Sequence, residues 1–379
     1  MFLLTSYDFW WELITNYFLI LTRACNLKCK YCGEIAVFEL PPIDINYSIE
    51  SLRNFLQQDD SETTIQFYGG EPLIRIPLLE KIMDELPGIK HWSIQTNMIN
   101  LHKLKPKYLT RLSSILASID GREEITDANR GEGVYSKVLE NCKLARRNGF
   151  KGDLIARMTI SEVADIYKEV NHLVNLQSPR FDHIHWQIDS QWDDNPKARW
   201  KEFNHWINNS YNPGITQLVQ WWLENMQEGK IIGLVPFIPV MKSILDDSPS
   251  PLRCGAGLDS FAINPNGSIS VCPIPPKFSF SIVDDIQTST PKSIRNSLKV
   301  TKPCPSCNIF GLCGGRCLFI NQTKLWGVEA FKKVCGTVEH MVSELMDIKI
   351  EVQSLIEKGT IAKTEFDYPM FNNGCEIIP

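Results

Sequence analysis

Short apolar and β-branched runs recur from Tyr17 to about Asp189, at Phe18–Thr22, Ile65–Tyr68, Trp92–Asn97, Ile115–Asp120, Leu154–Ile160 and Phe181–Asp189. Between them lie stretches with apolar residues at helical spacing, including Ser48–Gln58, Leu78–Leu86 and Val134–Asn148, the last closed by Gly149. This alternation predicts βαβ units, because parallel strands need a long crossover and a helix supplies it. Six units predict an α/β fold built as a partial (β/α)6 barrel. Period-two spacing puts Ser93, Gln95 and Asn97 on one strand face, and His183, His185, Gln187 and Asp189 on another, opposite Ile184, Trp186 and Ile188. In a barrel wrapped by helices the apolar faces meet the helices and the polar faces line the interior. On that ground His183, His185 and Asp189 are candidate acid–base groups, although a strand histidine is more often a hydrogen-bonded structural residue.

From Asp194 to Asp247 the pattern becomes helical and tryptophan-rich, with Trp200, Trp206, Trp221 and Trp222, and it stops at the loop Ser248-Pro-Ser-Pro-Leu252. The remainder is Gly- and Cys-rich to about Cys317 and then helical from Val328 to Lys358. The expected organisation is a barrel over residues 1–193, a helical bridge over 194–252 and a smaller Cys-rich domain over 253–379.

Charge narrows the function classes. The 39 basic and 44 acidic residues give a formal net charge of -5 without long like-charge blocks, which argues against nucleic acid or a membrane surface as partner. The apolar run Tyr17–Leu21 is too short to span a bilayer and lacks the flanks of a signal peptide. A cytoplasmic location is expected, and there twelve cysteines point to metal or chemistry before disulfides. Ten of them fall in two regions, at 25, 29 and 32, and at 254, 272, 304, 307, 313, 317 and 335; Cys142 and Cys375 stand apart.

The first region is Cys25-Asn-Leu-Lys-Cys29-Lys-Tyr-Cys32, directly after the first strand. Three thiolates so close can hold a cubane iron–sulfur cluster that normally takes four cysteines, leaving one iron open to substrate. A zinc knuckle completed by a distant residue is the bland alternative. After the second strand comes Phe67-Tyr-Gly-Gly-Glu-Pro72, where two glycines permit close approach to the backbone and Glu71 adds an acceptor suited to an ammonium group. The C-terminal cysteines, with Cys304-Pro-Ser-Cys307 and Cys313-Gly-Gly-Arg-Cys317 at their centre, are a strong metal signal that suits zinc and iron–sulfur equally.

Together the two N-terminal motifs resemble the radical S-adenosylmethionine (SAM) superfamily, in which a C-x3-C-x2-C loop and a GGE-type motif follow the first two strands of a partial TIM barrel. The resemblance implies that Cys25, Cys29 and Cys32 hold a catalytic 4Fe-4S cluster whose open iron chelates the methionine moiety of SAM. It implies that Gly69, Gly70 and Glu71 bind the amino group, that Tyr31 lies near adenine, and that Ser118, Asp120 and Arg130 contact ribose and carboxylate. Arg157 and Thr159 are further interior candidates. The chemistry implied is reductive cleavage of SAM to a 5′-deoxyadenosyl radical that abstracts hydrogen from an unactivated carbon.

All seven C-terminal cysteines match the pattern of the SPASM domain, which houses two auxiliary 4Fe-4S clusters in peptide- and protein-maturing relatives. The resemblance assigns Cys254, Cys272 and Cys317 to the first cluster and Cys304, Cys307, Cys313 and Cys335 to the second. An eighth cysteine near the first is missing, so the first auxiliary cluster is expected to have an open iron, or a histidine, water or Cys375 as its fourth ligand. The residue after Cys272 is Pro273, where sulfatase-maturing relatives have Asp. Only 24 residues precede Cys25, too few for the leader-binding domain of many relatives. The leading expectation is an enzyme that modifies a peptide or protein substrate, fed by an electron donor such as flavodoxin or ferredoxin. Maturation of a small molecule or enzyme-bound cofactor, and a zinc-stabilised interaction protein, are the alternatives.

Overall fold

The computed structural model describes residues 14–32, 42–190, 200–250, 252–274, 279–374 and 378–379; Cys375 lies outside them. All six expected strands form: β1 (Ile14–Thr22), β2 (Glu62–Gly69), β3 (His91–Thr96), β4 (Leu112–Ser118), β5 (Asp153–Ile160) and β6 (His183–Ile188). They pair in sequence order, all parallel. The crossovers carry α1 (Ile49–Leu56), α2 (Ile76–Glu85), α3 (Pro106–Leu109), α4 (Glu123–Arg130), α5 (Val134–Arg147) and α6 (Ile166–Val174). Local chemistry sets their ends. Ser48 caps α1 by accepting from the Ser51 amide, Asp165 caps α6 from Lys168, and Gly149 turns left-handed (φ +92°) just beyond α5.

The sheet does not stop at the barrel. The strands β7 (Ser260–Ile263), β8 (Ser268–Ser270) and β9 (Ile282–Asp285) continue it, giving the order β6-β5-β4-β3-β2-β1-β7-β8-β9. β7 pairs parallel with β1, Asn16 facing Ser260, so β1 becomes central and all but its first residue are buried. A strand covered on both faces needs a continuous apolar run, which Tyr17–Leu21 provides. Fully burying Leu19 or Leu21 contributes about 1.5–3 kcal/mol each. The same pairing carries the sheet across the expected boundary between the barrel and the Cys-rich domain.

Helices α7 (Phe203–Trp206), α8 (Asn212–Gln227) and α9 (Ile238–Asp246) lead to the short α10 (Pro291–Ile294), α11 (Phe310–Cys313) and α12 (Leu318–Thr323), then to α13 (Gly327–Asp347) and α14 (Lys349–Glu357). Trp206 and Trp222 are buried, their indole N–H groups donating to the carbonyls of Ala164 and Ile232. None of the described helices is long and apolar enough to cross a membrane.

The barrel interior is polar, as the alternation predicts, and the chain's own C-terminal segment fills its lower part. Phe371 stacks on His91 at 3.7 Å between ring centroids. Ser114 donates to the Asn372 carbonyl at 2.7 Å, Asn372 donates to Asp153 at 2.9 Å, and Asn373 pairs with His185. Polar strand faces thus find partners in Asn372 and Asn373, at the end of a short 3-10 turn (Met370–Asn372), which satisfies groups that burial would otherwise penalise.

Candidate functional site

The loop after β1 runs alongside the end of β2, and the two glycines explain how. The Gly70 amide donates to the Thr22 carbonyl and the Glu71 amide to Ala24, each at 2.9 Å. A Cβ on Gly70 would lie 2.3 Å from the Ala24 carbonyl oxygen and 2.5 Å from that of Arg23; on Gly69 (φ +127°) it would lie 2.2 Å from the Thr22 oxygen. The close approach that requires glycine here is therefore made by the cysteine loop itself.

Glu71 is 1% exposed and accepts three hydrogen bonds, from the Leu73 amide (2.9 Å), the Thr96 hydroxyl (2.7 Å) and the Asn97 amide (2.7 Å). These tie the ends of β2 and β3 together and leave about one of its four lone-pair sites for anything else. Burial pushes its carboxyl up to about 7, against the opposing effect of the three donors. Thr96 is a site residue that the motif search missed; its neighbour Asn97 also donates to Asn26 in the cysteine loop at 2.8 Å.

On the other flank, Asp120 is completely buried beyond the end of β4 and acts as a hub. Arg130 grips it with two bonds of 3.0 and 2.8 Å, the Thr159 amide donates at 2.9 Å, and the Tyr31 hydroxyl donates as well. The Arg130 guanidinium lies 5.4 Å from the Tyr31 ring centroid and hydrogen-bonds Cys29, and the Lys30 amide donates to the Asn129 carbonyl at 2.9 Å. The C-terminal end of α4 thereby holds the Cys29–Cys32 segment.

The three acid–base candidates share a strand face but sit at three depths, since a strand rises about 3.3 Å per residue. His183 opens β6 at the barrel floor, bonded to Asp153 at 2.8 Å and edge-on to Tyr368. His185 is fully buried against Asn373 and Gln187. Asp189 alone reaches the mouth.

There a cavity of about 250 Å³ is lined both by Cys25, Cys29 and Cys32 and by Cys254, Cys272 and Cys317. Tyr31, Gly69, Gly70, Glu71, Ser118, Arg130 and Asp189 also line it, as do Arg157 and Thr159; Asp120 lies behind its wall. Pro273 and Gly374 are among its further lining residues. A second cavity of about 340 Å³ is lined by Cys304, Cys307, Cys313 and Cys335, and Cys317 touches both cavities. No spacing rule in the sequence indicated that the N-terminal set would share a cavity with Cys254, Cys272 and Cys317.

Four thiolates on one zinc, at about 2.3 Å each, would place sulfurs about 3.8 Å apart. Among the described residues no three His, Cys, Asp or Glu side chains converge in that way. The cysteines line the two cavities, where each could give one thiolate to a shared metal centre. Amide donors already point at the sulfurs, Leu27 N–H at Cys25 (3.4 Å) and the Asn321 side chain at Cys304 (3.3 Å), which suits thiolate ligands. Burial pushes the thiols of Cys25 and Cys335 up to about 12 and that of Cys313 to about 11, so a bound metal must supply the charge that ionises them. Cys142, fully buried in α5, is a core residue.

Residues 19–170 match the Radical SAM superfamily. A 7,8-dihydro-6-hydroxymethylpterin dimethyltransferase from Methanocaldococcus jannaschii is 31% identical over 175 residues, 42% of this chain and 33% of that protein, so the chain spans about a third of its length. The radical SAM cyclopropyl synthase TigE from Paramaledivibacter caminithermalis is 22% identical over 375 residues, 90% of this chain and 73% of TigE. The solved structure of anSMEcpe with bound AdoMet superposes with a TM-score of 0.69 at 20% identity, over 89% of this chain and 99% of that one. The same protein with AdoMet and the Cp18Cys peptide gives 0.67 at the same identity and coverage. At such identity the likeness is one of fold. Residues 19–170 of the chain thus match the Radical SAM superfamily, and a Cys-rich C-terminal region continues on the same sheet.

Proposed function

We propose that this chain uses SAM to abstract hydrogen from a peptide or protein side chain held between its N-terminal cysteine set and a SPASM-type C-terminal region. The observation that carries the proposal is the shared cavity, which is lined both by Cys25, Cys29 and Cys32 and by Cys254, Cys272 and Cys317. When bound, a reduced 4Fe-4S cluster supplies the electron that splits SAM into methionine and a 5′-deoxyadenosyl radical. Around it the protein's task is placement. Glu71, Thr96 and the two glycines fix one side of the cysteine loop, and Asp120, Arg130 and Tyr31 fix the other. Ser118 and Arg130 line the wall where ribose and carboxylate would lie, and Asp189 is the one acid–base candidate able to exchange a proton with a substrate there. His183 and His185 serve the barrel floor.

The fold shared with the peptide-bound anSMEcpe structure supports a peptide substrate. The match to a pterin dimethyltransferase, though confined to a third of that enzyme, supports a small molecule as the second reading. The cavity formed by Cys304, Cys307, Cys313 and Cys335 is proposed to hold a second auxiliary cluster close to the surface, where Cys307 is exposed. From Lys292 to Lys333 there are eight basic residues (Lys292, Arg295, Lys299, Lys302, Arg316, Lys324, Lys332, Lys333) and one acidic, Glu329. Arg295 is paired with Asp59 and Arg316 is buried, but Lys292, Lys299, Lys302, Lys332 and Lys333 are exposed, and these favour an acidic one-electron carrier such as flavodoxin or ferredoxin.

The test is anaerobic incubation of reconstituted enzyme with reductant, SAM and either peptides or pterin- and nucleotide-type small molecules, reading 5′-deoxyadenosine and substrate mass together. The expected result is nucleoside formation with a mass change in a peptide, both abolished by Cys25→Ala. Nucleoside formation that persists in Cys25→Ala would sink the assigned cluster, and turnover of small molecules alone would sink the peptide.

A further inference from the structure

Arg253 stands between the two C-terminal cysteine sets. It directly precedes Cys254 of the first set. Its Nε donates at 2.6 Å to the carbonyl of Leu312, the residue before Cys313 of the second. Its other two nitrogens donate to the Pro239 carbonyl and the Ser243 hydroxyl of α9, each at 3.1 Å. Arg253 is only 7% exposed.

All three acceptors are neutral, and among the described residues no carboxylate pairs with Arg253. A guanidinium stays charged, and a buried charge without an opposite partner costs several kcal/mol. Once ionised, as a metal-bound thiolate is, the Cys313 sulfur is the acidic group whose charge acts on Arg253. A cation kept in that position is balanced when thiolate-bound clusters bring negative charge to either side, and it favours the more negative, reduced state of each.

Resting on the auxiliary-cluster reading above, we propose that Arg253 is a positioning residue and built-in countercation. Its three bonds fix the Cys254 and Cys313 strands of chain relative to each other, and its charge holds the auxiliary clusters at a higher potential. This separates two roles that are usually merged, because the side chain stabilises the protein only when metal is present. A residue that merely braced the fold would matter equally with and without it.

The experiment uses the full chain in a Cys25→Ala background, where only the C-terminal sets hold iron, with Arg253, Arg253→Met or Arg253→Lys. Urea unfolding is measured on metal-free and reconstituted protein, with iron and sulfide content and an EPR-monitored redox titration. Arg253→Met is expected to leave the metal-free protein as stable as its parent. It is expected to lose much of the stabilisation that reconstitution adds and to shift auxiliary reduction at least tenfold toward the oxidised form, about 59 mV for one electron. Arg253→Lys, which keeps the charge and loses the three-point geometry, is expected to restore the potential while iron content stays low. Equal destabilisation of metal-free and reconstituted protein, or an unchanged potential in Arg253→Met, would overturn the countercation alone. If the Met variant does not fold, an Arg253→Lys protein with parental iron content and a lowered potential overturns it too. A parent protein that binds zinc and no sulfide would overturn the cluster reading itself, and this proposal with it.

Discussion

Replacing Asp120 by Asn removes the charge that Arg130 is buried against while keeping the side chain's size. Arg130 is 8% exposed and gives Asp120 two bonds of 3.0 and 2.8 Å, and Tyr31 and the Thr159 amide add two more. Breaking a buried pair by removing one partner costs about 3–5 kcal/mol, because the survivor is left as an unpaired buried charge. Native stabilities are about 5–15 kcal/mol, so the loss is a large fraction of the whole. Urea unfolding of metal-free protein should show it as a midpoint lowered by roughly 1 M or more at a slope of about 3 kcal/mol/M. Because the same carboxylate holds Tyr31, between Cys29 and Cys32, iron retained at the N-terminal set should fall as well. A double-mutant cycle with Arg130→Met isolates the pair: removing both partners should cost about 1–3 kcal/mol less than the sum of the single losses. A cost below about 1 kcal/mol for Asp120→Asn, or an additive cycle, would refute the hub.

Gly70→Ala should cost the N-terminal set most of its iron, since the new Cβ meets backbone at 2.3–2.6 Å, whereas Gly336→Ala in α13, with nothing within 4 Å, should keep full iron content in the same assay. Glu71 has a folded value near 7 against an unfolded 4.5, so its contribution is fully present below pH 4.5 and is lost as pH rises through 7; Glu71→Gln should flatten that part of the stability–pH curve, and a parallel curve would count against it. Asp189→Asn should lower product formation, while His183→Asn should lower stability through the lost Asp153 bond and spare turnover. Equal kinetic losses in the two variants would contradict the depth ordering along β6.

The amino-acid pattern was sufficient for the six barrel strands and the helices between several of them, because strand and helix periodicities are local properties of the chain. It also placed Cys25, Cys29 and Cys32 in a loop at a strand end, and Glu71 at the end of the next strand, since sequence distance along βαβ units maps directly onto position around a barrel. Only the tertiary structure decided the rest. The glycines serve the approach of one backbone to another, Asp120 lies behind the cavity wall, and His183 sits about 20 Å below Asp189 along a single strand face, because depth along a strand is invisible to a period-two rule. The C-terminal segment fills the barrel floor, and β7 lies beside β1 from more than 200 residues away, which brings two distant cysteine sets to one cavity. Such pairings depend on which faces remain unburied after the local elements have formed, and that is a property of the packed whole.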